Sequence, residues 1–190
     1  MKRGLLVVFS APSGGGKSTV IQEVMRQKVN EYQYSLSATT RAPRGNEVDG
    51  TDYFFLTRDE FFKRRDANEF LEWAVVHGNY YATPRKAIEK SIADKQIILL
   101  DIDVQGGIEV KKQLGDEAFL IFLAPPSMQS LETRLRNRKT DSDEIIKGRL
   151  SAAFDEMKYA KEYDSIIIND KLEDTIKQVL SEIDKKINEL

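Results

Sequence analysis

The chain contains no cysteine. Disulfides, thiolate metal sites and cysteine nucleophiles are therefore excluded. It has one histidine, His77, in 190 residues. A zinc centre draws three or four ligands from His, Cys and carboxylates, so this composition speaks against one. His77 sits in a His-Gly-Asn-Tyr stretch with turn chemistry and reads as a turn or surface residue, not a catalyst. An excess of either charge is also missing, since 29 Lys and Arg face 31 Asp and Glu for a formal net charge of −2. That balance gives no reason to expect nucleic acid or an anionic membrane as partner. No stretch approaches the roughly 18 apolar residues of a membrane span. The apolar run after Met1-Lys2-Arg3-Gly4 is too short for a signal peptide. Internal repeats and low-complexity tracts are absent as well, and a cytoplasmic location is the default expectation.

What is present begins with an unbroken apolar run, Leu5-Leu6-Val7-Val8-Phe9, as expected of a parallel strand buried on both faces. Ser10-Ala11-Pro12-Ser13-Gly14-Gly15-Gly16-Lys17-Ser18-Thr19 follows, then a helical periodicity over Thr19–Val29 with Val20, Ile21, Val24 and Met25 on one face. Strand, Gly-rich turn, Lys-Ser and helix, in that order, form a P-loop. The glycines let backbone N–H groups approach an anion, and the helix directs its positive end at the same point. Lys17 would reach the terminal phosphates, and the Ser18 hydroxyl would help hold magnesium. The consensus opens on glycine where this chain has Ala11. A plain Gly-rich turn beside a surface lysine is the alternative, but it leaves the order of glycines, lysine and hydroxyl unexplained.

Three more apolar strands follow, at Gln96–Asp103, Ala118–Leu123 and Tyr163–Asn169, alternating with helices. This predicts one α/β domain of three layers around a parallel core sheet, with core segments 1–34, 89–133 and 151–190. Residues 35–88 differ in character and read as a small α+β insertion of antiparallel strands. An edge strand is expected around Tyr34–Ala38 and a short strand at Asp52–Leu56. Thr57-Arg58-Asp59-Glu60 is a capping box opening a helix. Phe70–Val76 is another strand, and Thr83-Pro84 opens a helix to about Ala93. Residues 134–150 read as a lid.

Several polar residues admit two readings. Arg41 and Arg44, flanking Pro43, form either an ordinary charged turn or a pair of phosphate clamps. Glu72 interrupts an apolar strand, so it faces solvent or acts as a placed acceptor. Asp101 and Asp103 fall at the C-terminal end of a buried strand, where open α/β sheets bind ligands. One of them suits a helix cap, the other a magnesium or substrate contact. Arg134, Arg136, Arg138, Lys139 and Arg149 mark either a solvated helix end or a mobile segment that brings positive charge over a transferring phosphoryl group. The terminal helix, Leu172–Leu190, has an apolar stripe suited to the core, or to a dimer.

The motifs Ser-Ala-Pro-Ser-Gly-Gly-Gly-Lys-Ser, Ser-Ala-Thr-Thr-Arg-Ala-Pro-Arg, Gly-Thr-Asp-Tyr-Phe-Phe, Phe-Leu-Glu-Trp-Ala, Gly-Asn-Tyr-Tyr-Ala-Thr-Pro, Leu-Asp-Ile-Asp-Val-Gln-Gly and Arg-Lys-Thr-Asp-Ser occur in that order. Together they resemble the guanylate kinases among P-loop nucleoside monophosphate kinases, over about residues 4–185. The resemblance implies transfer of a phosphoryl group from MgATP to GMP, and to dGMP. It implies that Ser37, Arg41, Arg44, Tyr53 and Tyr81 hold the GMP phosphate, that Glu72 accepts hydrogen bonds from guanine, and that Thr83 and Asp103 lie near the base. Residues 35–88 would then be the GMP-binding region. Ala11, Pro12, Ser13, Gly14, Gly15, Gly16, Lys17, Ser18 and Thr19 would hold the ATP phosphates, with Arg134 and Arg138 contributing and Asn169 near the adenine. Lys17, Arg41, Arg138 and Arg149 would carry catalysis, with Ser18, and Asp101 as a further candidate, at the magnesium. The chain departs from the family at Ala82, and near Asn46 and Lys139, where glycine is usual.

Two rival functions remain at this level. One is a P-loop kinase for another phosphorylated acceptor. The other is a non-catalytic binding module of the same fold, which the intact Lys17, Ser18 and lid arginines disfavour. A monomer and a homodimer are both compatible with the sequence.

Overall fold

The structure, a computed structural model, describes residues 4–76, 78–137 and 141–190. The expectations for His77, Arg138 and Lys139 lie outside the described residues. Strand β1 (Leu5–Ser10) is buried along its whole length. Its side chains alternate between two cores. Leu5, Val7 and Phe9 pack with Val20, Ile21 and Val24 of α1 (Lys17–Gln27) and with Ile176, Val179 and Ile183 of α7 (Leu172–Glu189). Leu6 and Val8 pack on the other face with Ile88 and Ile92 of α3 (Arg85–Ala93) and Val104 and Val110 of α4 (Val104–Leu114). That explains a run with no polar interruption, since neither face of the strand meets water. The apolar stripe of α7 is core-facing.

The core sheet has the order β2-β7-β1-β8-β9, with β2 at Tyr32–Tyr34, β7 at Ile97–Asp101, β8 at Ala118–Ala124 and β9 at Ser165–Ile168. All four pairings are parallel. It has five strands, not the four expected, because β2 is a short parallel edge strand. The expected edge strand around Tyr34–Ala38 is in fact split between two sheets. Tyr34 ends β2, while β3 (Ala38–Thr39) belongs to a second sheet.

That second sheet has the order β4-β3-β6-β5, with β4 at Phe54–Phe55, β5 at Phe70–Val76 and β6 at Asn79–Pro84. It is mixed and not wholly antiparallel, because β3 and β4 run parallel. Strand β6 replaces the turn expected at Asn79-Tyr80 and the helix start expected at Thr83. The reversal is tighter, closing at Val76↔Asn79 around Gly78 at φ 77°. Pro84 ends β6 and stands just before α3. Helix α2 (Arg58–Asp66) opens on the expected capping box, in which the Glu60 N–H donates to Thr57 Oγ1 and the Thr57 N–H to Glu60 Oε2. Phe61, Phe70, Ala38 and Ala82 form this region's own small core. Ala82, where the family usually has glycine, is 1% exposed and stands between Ala38 and Trp73 on the neighbouring strands, so its methyl is part of this small core.

Helices α5 (Met128–Asn137) and α6 (Asp143–Met157) pack together through Leu131, Leu135, Ile146 and Ala153. Among the described residues no helix is long and apolar enough to cross a membrane.

Candidate active site

The loop after β1 turns into α1 over two glycines in left-handed conformation, Gly14 at φ 88° and Gly16 at φ 85°. A side chain at Gly16 would also collide with Asn169 Nδ2, 2.7 Å from the position of a Cβ. Glycine is therefore required there on two counts. Ala11, by contrast, is buried without a positive φ. Its methyl joins the β1–α1 core, which accounts for an alanine at the first loop position. Lys17 is the first residue of α1, two earlier than expected, because the left-handed Gly16 serves as its cap.

Lys17 Nζ lies 2.6 Å from Asp101 Oδ1 and donates to the Ile102 carbonyl at 2.8 Å. The two aspartates thus part roles. Asp103 caps α4, its Oδ1 accepting from the Gln105 and Gly106 N–H groups at 2.9 Å each. Asp101 faces the loop lysine. The loop, Asp101 and Asp103 share one cavity of about 430 Å³ with Ser37, Tyr53, Tyr81 and Glu72 of the second-sheet region. The phosphate loop and Glu72 therefore line a single space.

Glu72 is 7% exposed on β5. Thr83, paired with it across β6, donates its hydroxyl to Oε1 at 2.6 Å. Gly106 leaves room for the carboxyl, since a Cβ there would stand 3.0 Å from Oε2. Burial pushes the Glu72 carboxyl up to about 7, with Thr83 opposing. Half of such carboxyls are charged near neutrality, which suits an acceptor waiting for donors.

Arg41 follows β3 and is 8% exposed. Its guanidinium donates to Glu47 Oε1 at 2.9 Å and to the Ala42 carbonyl at 2.8 Å. The face of the fork lies 5.3 Å from the Tyr53 ring centre and 5.9 Å from that of Phe55. The Glu47 carboxylate is the largest influence on the guanidinium and raises its pKa, with Tyr81 adding to that and burial opposing both. Arg44 is exposed, and its backbone N–H, not its side chain, is engaged with Glu47. The structure brings neither Arg44 nor Arg41 onto the cavity wall, although Tyr53, on which Arg41 stacks, does line it.

Arg134 of α5 donates to the Asn169 carbonyl at 2.8 Å, and Arg149 of α6 pairs with Asp141 at 3.5 Å. Arg138 lies outside the described residues. Asn169 is 6% exposed, and both ends of its amide are in use. Nδ2 donates to the Gly15 carbonyl at 2.6 Å, and Oδ1 accepts from Thr175 at 3.1 Å. It therefore braces the phosphate loop.

Three polar cavity residues escaped the sequence reading. Tyr34 ends β2, and Asp52 precedes β4. Glu156 of α6 accepts from the Ser13 N–H at 3.3 Å, and burial raises its carboxyl, against the pull of that hydrogen bond and Lys17. Its signal was its place seven residues after Arg149, on the same helix face.

The family model described as guanylate kinase matches residues 3–186. A guanylate kinase of Carboxydothermus hydrogenoformans is 46% identical over 176 residues, 93% of this chain and 85% of that protein. One of Bacillus subtilis is 44% identical over 182 residues, 94% of this chain and 89% of that protein. The crystal structure of guanylate kinase from Anaplasma phagocytophilum superposes with a TM-score of 0.79 at 31% identity, covering 98% of this chain and 87% of that one.

Proposed function

The chain belongs to the guanylate kinase family, and from that membership we infer that it phosphorylates GMP to GDP with ATP, in the cytoplasm. The observation that carries the reading is the shared cavity, lined both by the Gly14–Thr19 loop and by the buried Glu72. A carboxylate there accepts from both the N1–H and the exocyclic amine of guanine. Adenine lacks that donor pair, and a site left with an unpaired buried carboxylate rejects it strongly.

Each residue then has a task. Glu72, oriented by Thr83, fixes the base, with Asp103 close by. Arg41, stacked on Tyr53, offers its fork to the GMP phosphate in place of Glu47, and Ser37 and Tyr81 add hydroxyl donors. Arg44 reaches that phosphate only by swinging inward from its exposed position. Loop N–H groups and the α1 terminus hold the ATP phosphates. An oxygen of the GMP phosphate attacks the γ-phosphorus in line, the bond to the β-phosphate oxygen breaks, and ADP leaves. The attacking oxygen is already anionic, so no side-chain base is needed. Lys17, released from Asp101, and Arg149 neutralise charge on the transferring group, with Arg138 as a further candidate. Among the described residues no three His, Cys, Asp or Glu side chains converge on a metal position. Ser18 and Asp101, which line the same cavity, would hold an ion that arrives with the nucleotide and keeps its waters. Magnesium bound there would supply charge neutralisation for the nucleotide phosphates.

The test is a coupled ADP-release assay with MgATP and GMP, dGMP, AMP, CMP or UMP. Turnover confined to GMP and dGMP is expected. Turnover with another acceptor would discard the guanine assignment, and GMP binding without turnover would favour a binding module.

A further inference from the structure

Glu156 is an unexpected group to find on the wall of a phosphate-binding cavity. A carboxylate cannot hold a polyphosphate and repels one nearby. Its hydrogen-bond donor on the loop is the Ser13 N–H, reached by Oε2 at 3.3 Å, and the charge of Lys17 attracts it as well. That hydrogen bond spans from α6 to the lip of the phosphate loop. Arg149 lies on the same helix, seven residues earlier, so the two side chains share a face about 10 Å apart along the axis. Along its length α6 is held through Ile146 and Ala153 against α5, and Arg149 pairs with Asp141 at 3.5 Å. The helix is thus tied to the loop near its C-terminal end and carries, two turns away, the arginine assigned above to the phosphoryl group.

We propose that Glu156 is a positioning residue, tying α6 to the phosphate loop so that Arg149 meets the transferring phosphoryl group at a fixed distance. The proposal rests on the role given to Arg149 above. It explains why a group unfavourable to ATP binding is present, since the gain is alignment in the transition state and not affinity for the ground state. Displacements near 1 Å remote from the chemistry can cost about a hundredfold in rate.

The experiment compares Glu156→Gln, Arg149→Ala and the double variant by steady-state kinetics in GMP and MgATP, with thermal melts in parallel. Glu156→Gln keeps the length but weakens the acceptor. It should lower kcat roughly tenfold, while KM for ATP does not rise. Arg149→Ala should lower kcat about a hundredfold or more. In the double variant kcat should equal that of Arg149→Ala, because the tether has nothing left to position. A further tenfold fall in that background, normal kcat in Glu156→Gln, or a raised KM for ATP from a loosened loop would each overturn the proposal. Near-normal turnover of Arg149→Ala would remove the role of Arg149 itself, a failure distinct from an independent effect of Glu156.

Discussion

Thr83 and Glu72 face each other across the β5–β6 pair, with the hydroxyl 2.6 Å from Oε1 and the carboxyl 7% exposed. The hydrogen bonds from Thr83 do not compensate the burial of a charge, so the carboxyl is pushed up from 4.5 to about 7. A carboxyl raised on folding contributes stability below its unfolded value, and that contribution is lost as pH rises through its folded value. The gap corresponds to about 3 kcal/mol at most. Ligand-free Glu72→Gln should therefore melt a few degrees above the parent at pH 8.5, and the advantage should vanish near pH 4.5. Calorimetry at the two pH values checks it, and an equal difference at both would remove the charged-carboxyl account.

With guanine held on Glu72 as proposed, the same carboxyl should make GMP affinity depend on pH. Only its ionised form accepts from both guanine donors. Affinity should fall as pH drops below about 7, approaching tenfold per unit well below it. The GMP phosphate titrates in the same range, so the ratio of parent to Glu72→Gln affinity isolates the side chain. That ratio should rise from pH 6 to pH 8, measured by titration calorimetry, and a flat ratio would move the guanine contact elsewhere.

Legibility followed burial. Strands β1, β7, β8 and β9 lie in the parallel core sheet and could be read from their apolar runs. Strands β2, β3 and β6 could not. Tyr32–Tyr34 and Ala38–Thr39 are too short to show a period, and Asn79-Tyr80 looks like a turn until its partner β5 is in place. The site divided likewise. The order of glycines, Lys17 and Ser18 is local, so it was visible. Which of Asp101 and Asp103 caps a helix depends on the Gln105 and Gly106 N–H groups, and the role of Glu156 depends on Ser13, 143 residues away in the chain.

Arg41 presents both a fork and a flat face, the fork to Glu47 and the face to Tyr53 at 5.3 Å. Lysine keeps the charge but loses the bidentate geometry and the stacking. Arg41→Lys should raise KM for GMP roughly tenfold or more, the equivalent of one charged hydrogen bond, and leave KM for ATP near normal. Equal effects on both substrates would place the residue outside the acceptor site.

Lys17 pairs with Asp101 at 2.6 Å and with the Ile102 carbonyl at 2.8 Å. Lys17→Met keeps the stem and removes the charge. Turnover should fall about a hundredfold or more, the scale seen when a donor to developing charge is lost. Circular dichroism should remain that of the parent, because the helix keeps its Gly16 cap and its Val20, Ile21 and Val24 contacts. Near-normal kcat would sink the assignment.

Asn169 offers a choice between two roles that one ligand pair can separate. The resemblance puts it near the adenine, whereas its Nδ2 is committed to the Gly15 carbonyl at 2.6 Å and its Oδ1 to Thr175 at 3.1 Å. If it braces the loop, Asn169→Ala leaves a buried carbonyl without its donor, at a cost of about 1–3 kcal/mol. The loop then presents its N–H groups less well to any polyphosphate. ATP and inorganic tripolyphosphate, which has no base, should weaken by a similar factor. A contact to adenine would weaken ATP alone. Competition binding with the two ligands decides between them, and loss confined to ATP would return Asn169 to the base.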